Sequence, residues 1–397
     1  MEALLECIAA VLGFQWLYVL WNLRQMPQLK TPSMDESKEG QTSFSTRRNE
    51  LSGSVRLSVL IPARNEEGKI GRCIASVLAQ NWPGLELLVL DDRSEDGTRE
   101  EALAAFQASS CRAGDTVLRL IDGAPLPPGI TGKSHACMQL AREASGQWLL
   151  FLDSDAELGE RALDAAMAMA EQQGSGLITG FPRQVTGSLM ERLVVPLMSF
   201  VIACHLPIVM VRKSSNPAFV AAHGAFMLVH SASYEASGGH AALGEHLLDD
   251  MELARRIKSS GCPMTLANIC SHVYMRMYRD AGEVWNGYRK NLFAGLGRSH
   301  LLLLWIMLSY SLLYLLPPAA LVCAIAGLLP ATAMLLAIVC CLLGFGIKLT
   351  VDRHHRRPLR DAVLLAPGIA ALLAIAAASW YGSVTGIGYS WKGRRYL

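Results

Sequence analysis

The stretch from Gln147 to Ala156, QWLLFLDSDA, constrains this chain more than any other. Five apolar residues, Trp148 to Leu152, run straight into two carboxylates, Asp153 and Asp155. A short unbroken apolar run reads as a strand buried on both faces, the usual state in a parallel sheet. In open α/β sheets, ligands bind beyond the carboxyl ends of the strands. Asp153 and Asp155 stand where such a strand ends. Oxygen donors of this kind suit a hard divalent cation, which usually also holds substrate phosphates. A strand followed by an acidic turn accounts for the same residues, so the pair needs support from elsewhere in the chain.

That support comes from the segments on either side. The patterning predicts strands at Leu57–Ile61, Leu85–Leu90, Val117–Ile121 and Leu177–Phe181, besides the one before Asp153. Helical spacing covers Glu67–Ala79, Gly97–Gln107, Ser134–Ala144 and Arg161–Gln172. Regular alternation of this kind predicts an α/β domain, with a mostly parallel sheet and helices on both faces. No Gly-x-Gly-x-x-Gly succeeds the first strand and no Gly-x-x-x-x-Gly-Lys-Ser/Thr occurs, so neither a common dinucleotide fold nor a P-loop is supported. The first four strands each run into a polar cluster. The first ends in Pro62-Ala63-Arg64-Asn65-Glu66-Glu67 and the second in Asp91-Asp92-Arg93-Ser94-Glu95-Asp96-Gly97-Thr98. The third leads to Thr131-Gly132-Lys133 and the fourth to Asp153-Ser154-Asp155. A helix cap or turn explains any one of these clusters, but it explains four at one sheet edge poorly.

Taken as a set and in this order, the Pro-Ala-Arg-Asn-Glu-Glu, Asp-Asp-x-Ser-x-Asp-Gly-Thr and Asp-x-Asp segments resemble the family 2 glycosyltransferases over roughly residues 55–300. The resemblance implies a nucleotide-diphospho-sugar transferase domain of the GT-A type, Rossmann-like. Pro62, Ala63, Arg64 and Glu66 would then frame the uridine of a nucleotide sugar and Asp92 would contact the base. Lys133 would bring positive charge to the diphosphate. Asp155 would hold Mg²⁺ or Mn²⁺, and Asp153 would bind the ribose or the metal and its water shell. Inverting sugar transfer also needs a carboxylate to take the acceptor hydroxyl proton. The family places it in an acidic pair opening a helix, which the stretch His246 to Ile257 matches. Asp250 is the expected base and Asp249 its neighbour, raising its proton affinity by like charge. First-turn acids favoured by the helix dipole are the plainer reading of the same pair.

One departure stands out. Trp285-Asn286-Gly287-Tyr288-Arg289-Lys290-Asn291 lies where many relatives carry Gln-x-x-Arg-Trp. Arg289 and Lys290 remain candidates for the diphosphate. The missing motif argues for adding one sugar rather than for a processive polysaccharide synthase. A non-catalytic sugar-nucleotide sensor is disfavoured by the retained Asp153, Asp155 and Asp250.

Charge and hydropathy divide the rest of the 397 residues. The expected layout is a transmembrane anchor over 1–24, a polar linker over 25–54 and a cytosolic catalytic domain over 55–298. A transmembrane hairpin over 299–350, a basic cytosolic loop over 351–361 and an apolar segment with a basic tail over 362–397 complete it. Residues 3–23 are long enough to cross a bilayer, and Arg24 and Lys30 behind them place the rest of the chain in the cytoplasm. No basic residue precedes that run, which favours an uncleaved anchor over a signal peptide. The last apolar segment, Ala362–Gly388, carries Pro367 and several glycines and reads as re-entrant or as a third span. The apolar run Leu193–Val211, within 189–211, is broken by Pro196 and Pro207. A single crossing there would separate Asp250 from Asp155, so it reads as interfacial, as an apolar groove, or as a buried core helix. A lipid acceptor at the membrane is implied by the resemblance, whose lipid-directed members share this layout. These include the carotenoid-acid, hopanoid-associated and ceramide glycosyltransferases. A net charge of +2, with no basic patch interleaved with aromatics, gives no support to nucleic-acid binding. Ten cysteines without a Cys-x-x-Cys pair suggest reduced thiols rather than a zinc site or disulfide framework.

Overall fold

A computed structural model describes residues 1–32, 57–80, 82–109, 116–386, 389–391 and 394–396. From residue 33 onward the expected linker lies outside them. The chain forms two compact units. One comprises Met26–Arg183 and Val209–Met275, the other Met1–Gln25, Gln184–Ile208 and Arg276–Leu397.

The first unit is built on a seven-stranded sheet. In chain order the strands are β1 (Leu57–Ala63), β2 (Leu85–Asp91), β3 (Val117–Asp122), β4 (Trp148–Phe151), β5 (Ala156–Leu158), β6 (Leu177–Thr179), β7 (Arg183–Gln184), β8 (Met227–His230), β9 (Met264–Leu266) and β10 (Val273–Met275). The main sheet runs β3-β2-β1-β4-β8-β6-β9. β1 pairs in parallel with both β2 and β4, β2 with β3, and β6 with β9. The apolar runs go where their composition requires: all of β2 and β4 is buried, while β3, at the sheet edge, alternates towards solvent. Helices cover the sheet as expected. In Ile70–Leu78 the buried residues Ile70, Cys73, Ile74, Val77 and Leu78 form one face at helical spacing. That helix starts later than the periodicity suggests because Asn65 and Gly68 both adopt positive φ, which stops it extending back towards Glu67.

β8 breaks the parallel order. It runs antiparallel to β4 on one side and to β6 on the other, pairing Phe151 with Met227 and Trp148 with His230. Its amino end therefore meets the carboxyl end of β4. The residues just before β8 thus reach the same edge as the residues just after β4.

The opposite edge is closed by a buried acid. Glu86, 4% exposed, accepts from the Ser58 hydroxyl and from the Ser145 backbone N–H (2.8 Å) and hydroxyl (3.1 Å). It ties the start of β2 to β1 and to the turn before β4, far along the strands from Asp91 and Asp153.

Among its described residues the second unit contains four helices long and apolar enough to cross a membrane: Glu2–Arg24, His300–Ile325, Ala331–His354 and Leu359–Val384. The last continues from a short 3₁₀ stretch, Leu359–Leu364, into the α-helix Leu365–Val384. The apolar run around 193–211 is not one helix. Pro196 and Pro207 divide it into Leu189–Val194, Leu197–His205 and Ile208–Lys213, each far short of the roughly 20 residues a span needs. Within this unit Asn22 fastens the first helix to the broken run. Its side-chain NH₂ donates to the Ala203 (3.0 Å) and Leu206 (2.7 Å) carbonyls, and its oxygen accepts from the Ile208 N–H (2.8 Å). Two buried acids are held by paired guanidinium bonds, Asp361 by Arg192 (3.0 and 2.6 Å) and Glu191 by Arg276 (3.1 and 3.2 Å). Arg357, in the basic loop, is buried and donates to the Gln184 carbonyl (3.0 Å).

Glu86→Ala strands three donors in the sheet and is expected to cost about 2–3 kcal/mol. Thermal unfolding of the full chain in detergent should show the loss. Ligand affinity per folded molecule should hold, because the change lies at the other end of the strands.

Candidate active site

Several chain segments meet at the carboxyl edge of β1, β2 and β4. The loops after β1 and β2 interlock. Arg64 donates from Nη1 to the carbonyls of Asp92 (2.7 Å) and Arg93 (2.9 Å), and the Asp92 N–H returns to the Ala63 carbonyl (2.7 Å). Asn65 N–H donates to Ser94 Oγ (3.0 Å), Glu95 N–H to Asn65 Oδ1 (2.9 Å) and Glu66 N–H to Thr98 Oγ1 (2.7 Å). The polar residues of the two motifs thus satisfy one another's main chain, and the left-handed φ of Asn65 and Arg93 makes the turns possible. Asp92 is buried at the floor of this arrangement and Glu66 lies 9% exposed beside it. Pro62 and Ala63 form the last rungs of β1, paired with Leu90 and Asp91.

The acids gather around two lysines. Lys69, which sequence reasoning missed, lies 3.5 Å from Glu66 and 3.8 Å from Asp155. Its place three residues after Glu66, at the start of the next helix, is the signal that could have found it. Lys133 comes just after the cap of its helix, where Thr131 Oγ1 accepts from the Ser134 N–H. Its ammonium lies 2.6 Å from Asp153 and 4.0 Å from Asp249. Gly224, brought in by β8, sits directly over that pair: a Cβ there would fall 2.6 Å from Lys133 Nζ and 3.3 Å from Asp153 Oδ2. The Gly224 N–H donates to Asp250 Oδ2 (3.1 Å), and Asp250 Oδ1 accepts from the Met251 N–H (2.7 Å). Asp249 and Asp250 open the helix Asp249–Ser259, as expected. Lys133, Asp153, Asp249 and Asp250 therefore come together from three separate stretches of chain.

This crowding alters their chemistry. Surrounding protein strips water from the Asp250 carboxyl, and the charge of Asp249 adds to the effect. Its pKa is pushed up to about 6, against the opposing pull of Lys133. Burial works against the charge on Lys133, but Asp153 and Asp249 outweigh it and hold the ammonium well above its ordinary value. His223 and His240 are both buried into neutrality, with pKa values lowered to about 4. Arg289 and Lys290 lie half-buried on the helix Ala281–Gly295, which belongs to the other unit.

The donor set bears on a metal. Among the described residues no group of three Asp, Glu, His or Cys side chains is placed to hold a metal ion by itself. Asp153 and Asp155 offer two carboxylates on the turn after β4, both oxygen donors. That suits an Mg²⁺-type ion, which takes one or two carboxylates and completes its shell with phosphate oxygens and water. The residues present fit an open, substrate-bridged ion and do not fit a structural one.

In Gly224→Ala the added methyl meets the mobile end of Lys133 rather than backbone, so the fold should survive with little change in Tm. The lysine must leave Asp153, and an activity loss of about tenfold or more is expected. Paired thermal unfolding and sugar-transfer assays would check this.

Residues 58–230 match Glycosyl transferase family 2. The 4,4'-diaponeurosporenoate glycosyltransferase of Staphylococcus aureus (strain MRSA252) is 30% identical over 246 residues, 61% of this chain and 62% of that protein. Its counterpart in strain USA300 is 28% identical over the same shares. The match thus spans less than two thirds of these relatives' length. Among solved structures, a mannosyltransferase from Pyrobaculum calidifontis, in complex with GDP-Man and Mn²⁺, superposes with a TM-score of 0.50. The superposition covers 97% of this chain and 91% of that one at 18% identity, a likeness of fold. With its mostly parallel sheet, its loop motifs and these similarities, the stretch 58–230 is a Glycosyl transferase family 2 domain, built on the GT-A fold.

Proposed function

We propose that this protein transfers a single sugar, with inversion, from a nucleotide sugar to a lipid hydroxyl or carboxyl at a membrane. The observation that carries the reading is the convergence of Lys133, Asp153, Asp249 and Asp250 around Gly224. The interlocked loops bearing Pro62, Ala63, Arg64, Glu66 and Asp92 receive the nucleoside, probed first as uridine. Asp92 accepts the base imide N–H, and Lys133 turns from Asp153 to the diphosphate. Asp155 and Asp153 would hold a divalent ion, which would supply charge neutralisation for the leaving group.

Asp250 then takes the proton of a hydroxyl acceptor as that oxygen bonds to the sugar C1; a carboxylate acceptor attacks C1 already deprotonated. The bond from C1 to the diphosphate oxygen breaks, and its electron pair leaves with the nucleoside diphosphate. Raised to about 6, the carboxylate is ionised at neutral pH yet basic enough to accept a proton. Two facts support a lipid acceptor. Among the described residues four helices are long and apolar enough to cross a membrane, and relatives of the chain are named for a carotenoid acid. The catalytic unit is assigned to the cytoplasmic side, where nucleotide sugars are supplied.

Asp250→Asn should lower kcat by about 10²–10⁴-fold while nucleotide binding persists. Turnover and isothermal titration on the full chain would test it, and normal turnover would refute the assignment. The pH profile offers a separate check. The base must be deprotonated, so kcat/KM should rise with pH to a plateau above about 6. Asp249→Asn removes the neighbouring charge, lowers the Asp250 pKa and should move that acid limb to lower pH.

A further inference from the structure

Resting on the proposed function, we infer that His223 is a specificity-determining residue that donates a hydrogen bond from Nε2 to a hydroxyl of the donor sugar. The Ala225 N–H donates to His223 Nδ1 at 3.1 Å. A backbone N–H can only donate, so Nδ1 carries no proton and the ring is the neutral Nε2–H tautomer. The ring is held from other directions as well. Phe181 meets it edge-on at 5.3 Å between centroids, and the His223 N–H donates to Thr179 Oγ1 (3.3 Å). Thr179 Oγ1 in turn donates to the Phe226 carbonyl (2.9 Å). The outcome is an immobilised, part-exposed imidazole whose Nε2–H meets no acceptor among the described residues.

Its place in the site identifies the ligand. His223 adjoins Gly224, whose N–H holds Asp250 and whose Cα lies over Lys133 and Asp153. Asp153 and Lys133 belong to the diphosphate end of the site and Asp250 to the acceptor end. The group that must lie between them is the sugar, whose outward chemistry is hydroxyl. The fields of Asp153 and Lys133 both reach the ring, and burial keeps it neutral down to about pH 4. A neutral donor suits an uncharged hydroxyl, and its tautomer does not change across the working pH range.

The test uses the full chain in detergent with Mg²⁺. Titration calorimetry compares UDP with whichever of UDP-glucose, UDP-galactose and UDP-N-acetylglucosamine binds wild type most tightly. His223→Asn retains an oxygen near Nδ1 for the Ala225 N–H but cannot reach as far as Nε2, and His223→Phe removes both functions. Both variants should hold UDP within about twofold of wild type and bind the UDP-hexose about tenfold more weakly. Unchanged UDP-hexose affinity in both variants would overturn the assignment. So would parallel loss of UDP and UDP-hexose in His223→Asn, which would mark the ring as purely structural. Failure of wild type to bind UDP or any of the three hexoses would instead defeat the uridine-donor reading beneath it.

Discussion

The site depends on one cation holding acids together that would otherwise repel. Asp153, Asp249 and Asp250 arrive from different stretches of chain, and three carboxylates in one half-buried cleft cannot all keep their charge cheaply. Lys133, seated against Asp153 and within reach of Asp249, offsets most of that cost. Two backbone N–H groups, from Gly224 and Met251, support Asp250 without cancelling its charge. The compensation is incomplete at Asp250, whose carboxyl is pushed towards neutrality. Lys69, between Glu66 and Asp155, plays the same balancing part for a second pair of acids.

The geometry behind this rests on the reversed strand. Were β8 parallel to β4, the residues before it would lie at the Glu86 edge, and Gly224 could not cover Lys133. Because β8 is antiparallel, a loop preceding a strand joins loops that come after strands. Gly224 is needed for a second reason, since any side chain there would occupy the ammonium's place.

Much of this was legible in the residues. The apolar runs of β1, β2 and β4 declare buried parallel strands, and the polar clusters after them mark the functional edge. Asp249 and Asp250 were readable as a helix-opening pair, although periodicity alone does not separate a dipole-stabilising role from a catalytic one. The reversal of β8 was not legible, because four residues carry no signal of direction. Nor was the role of His223, which depends on a hydrogen bond to a neighbour two residues on and on an aromatic ring from β6's far end. Lys69 was hidden for a simpler reason: a lysine on a first helical turn is ordinarily solvated, and only the fold brings Asp155 to it. The break at Pro196 and Pro207 was visible in advance, since neither ring tolerates an uninterrupted helix.

The mutual bonding of the loops after β1 and β2 has a consequence for recognition. Their backbone groups are already satisfied by Arg64, Asn65, Ser94 and Thr98, so a ligand such as the proposed nucleoside would order no loop there and would give up little conformational entropy. The cradle is a rigid mould rather than a closing hand. Selection among bases must then come from steric exclusion and from the few polar atoms left facing inward. Adaptation to new donors would proceed by carving that mould, not by loosening it.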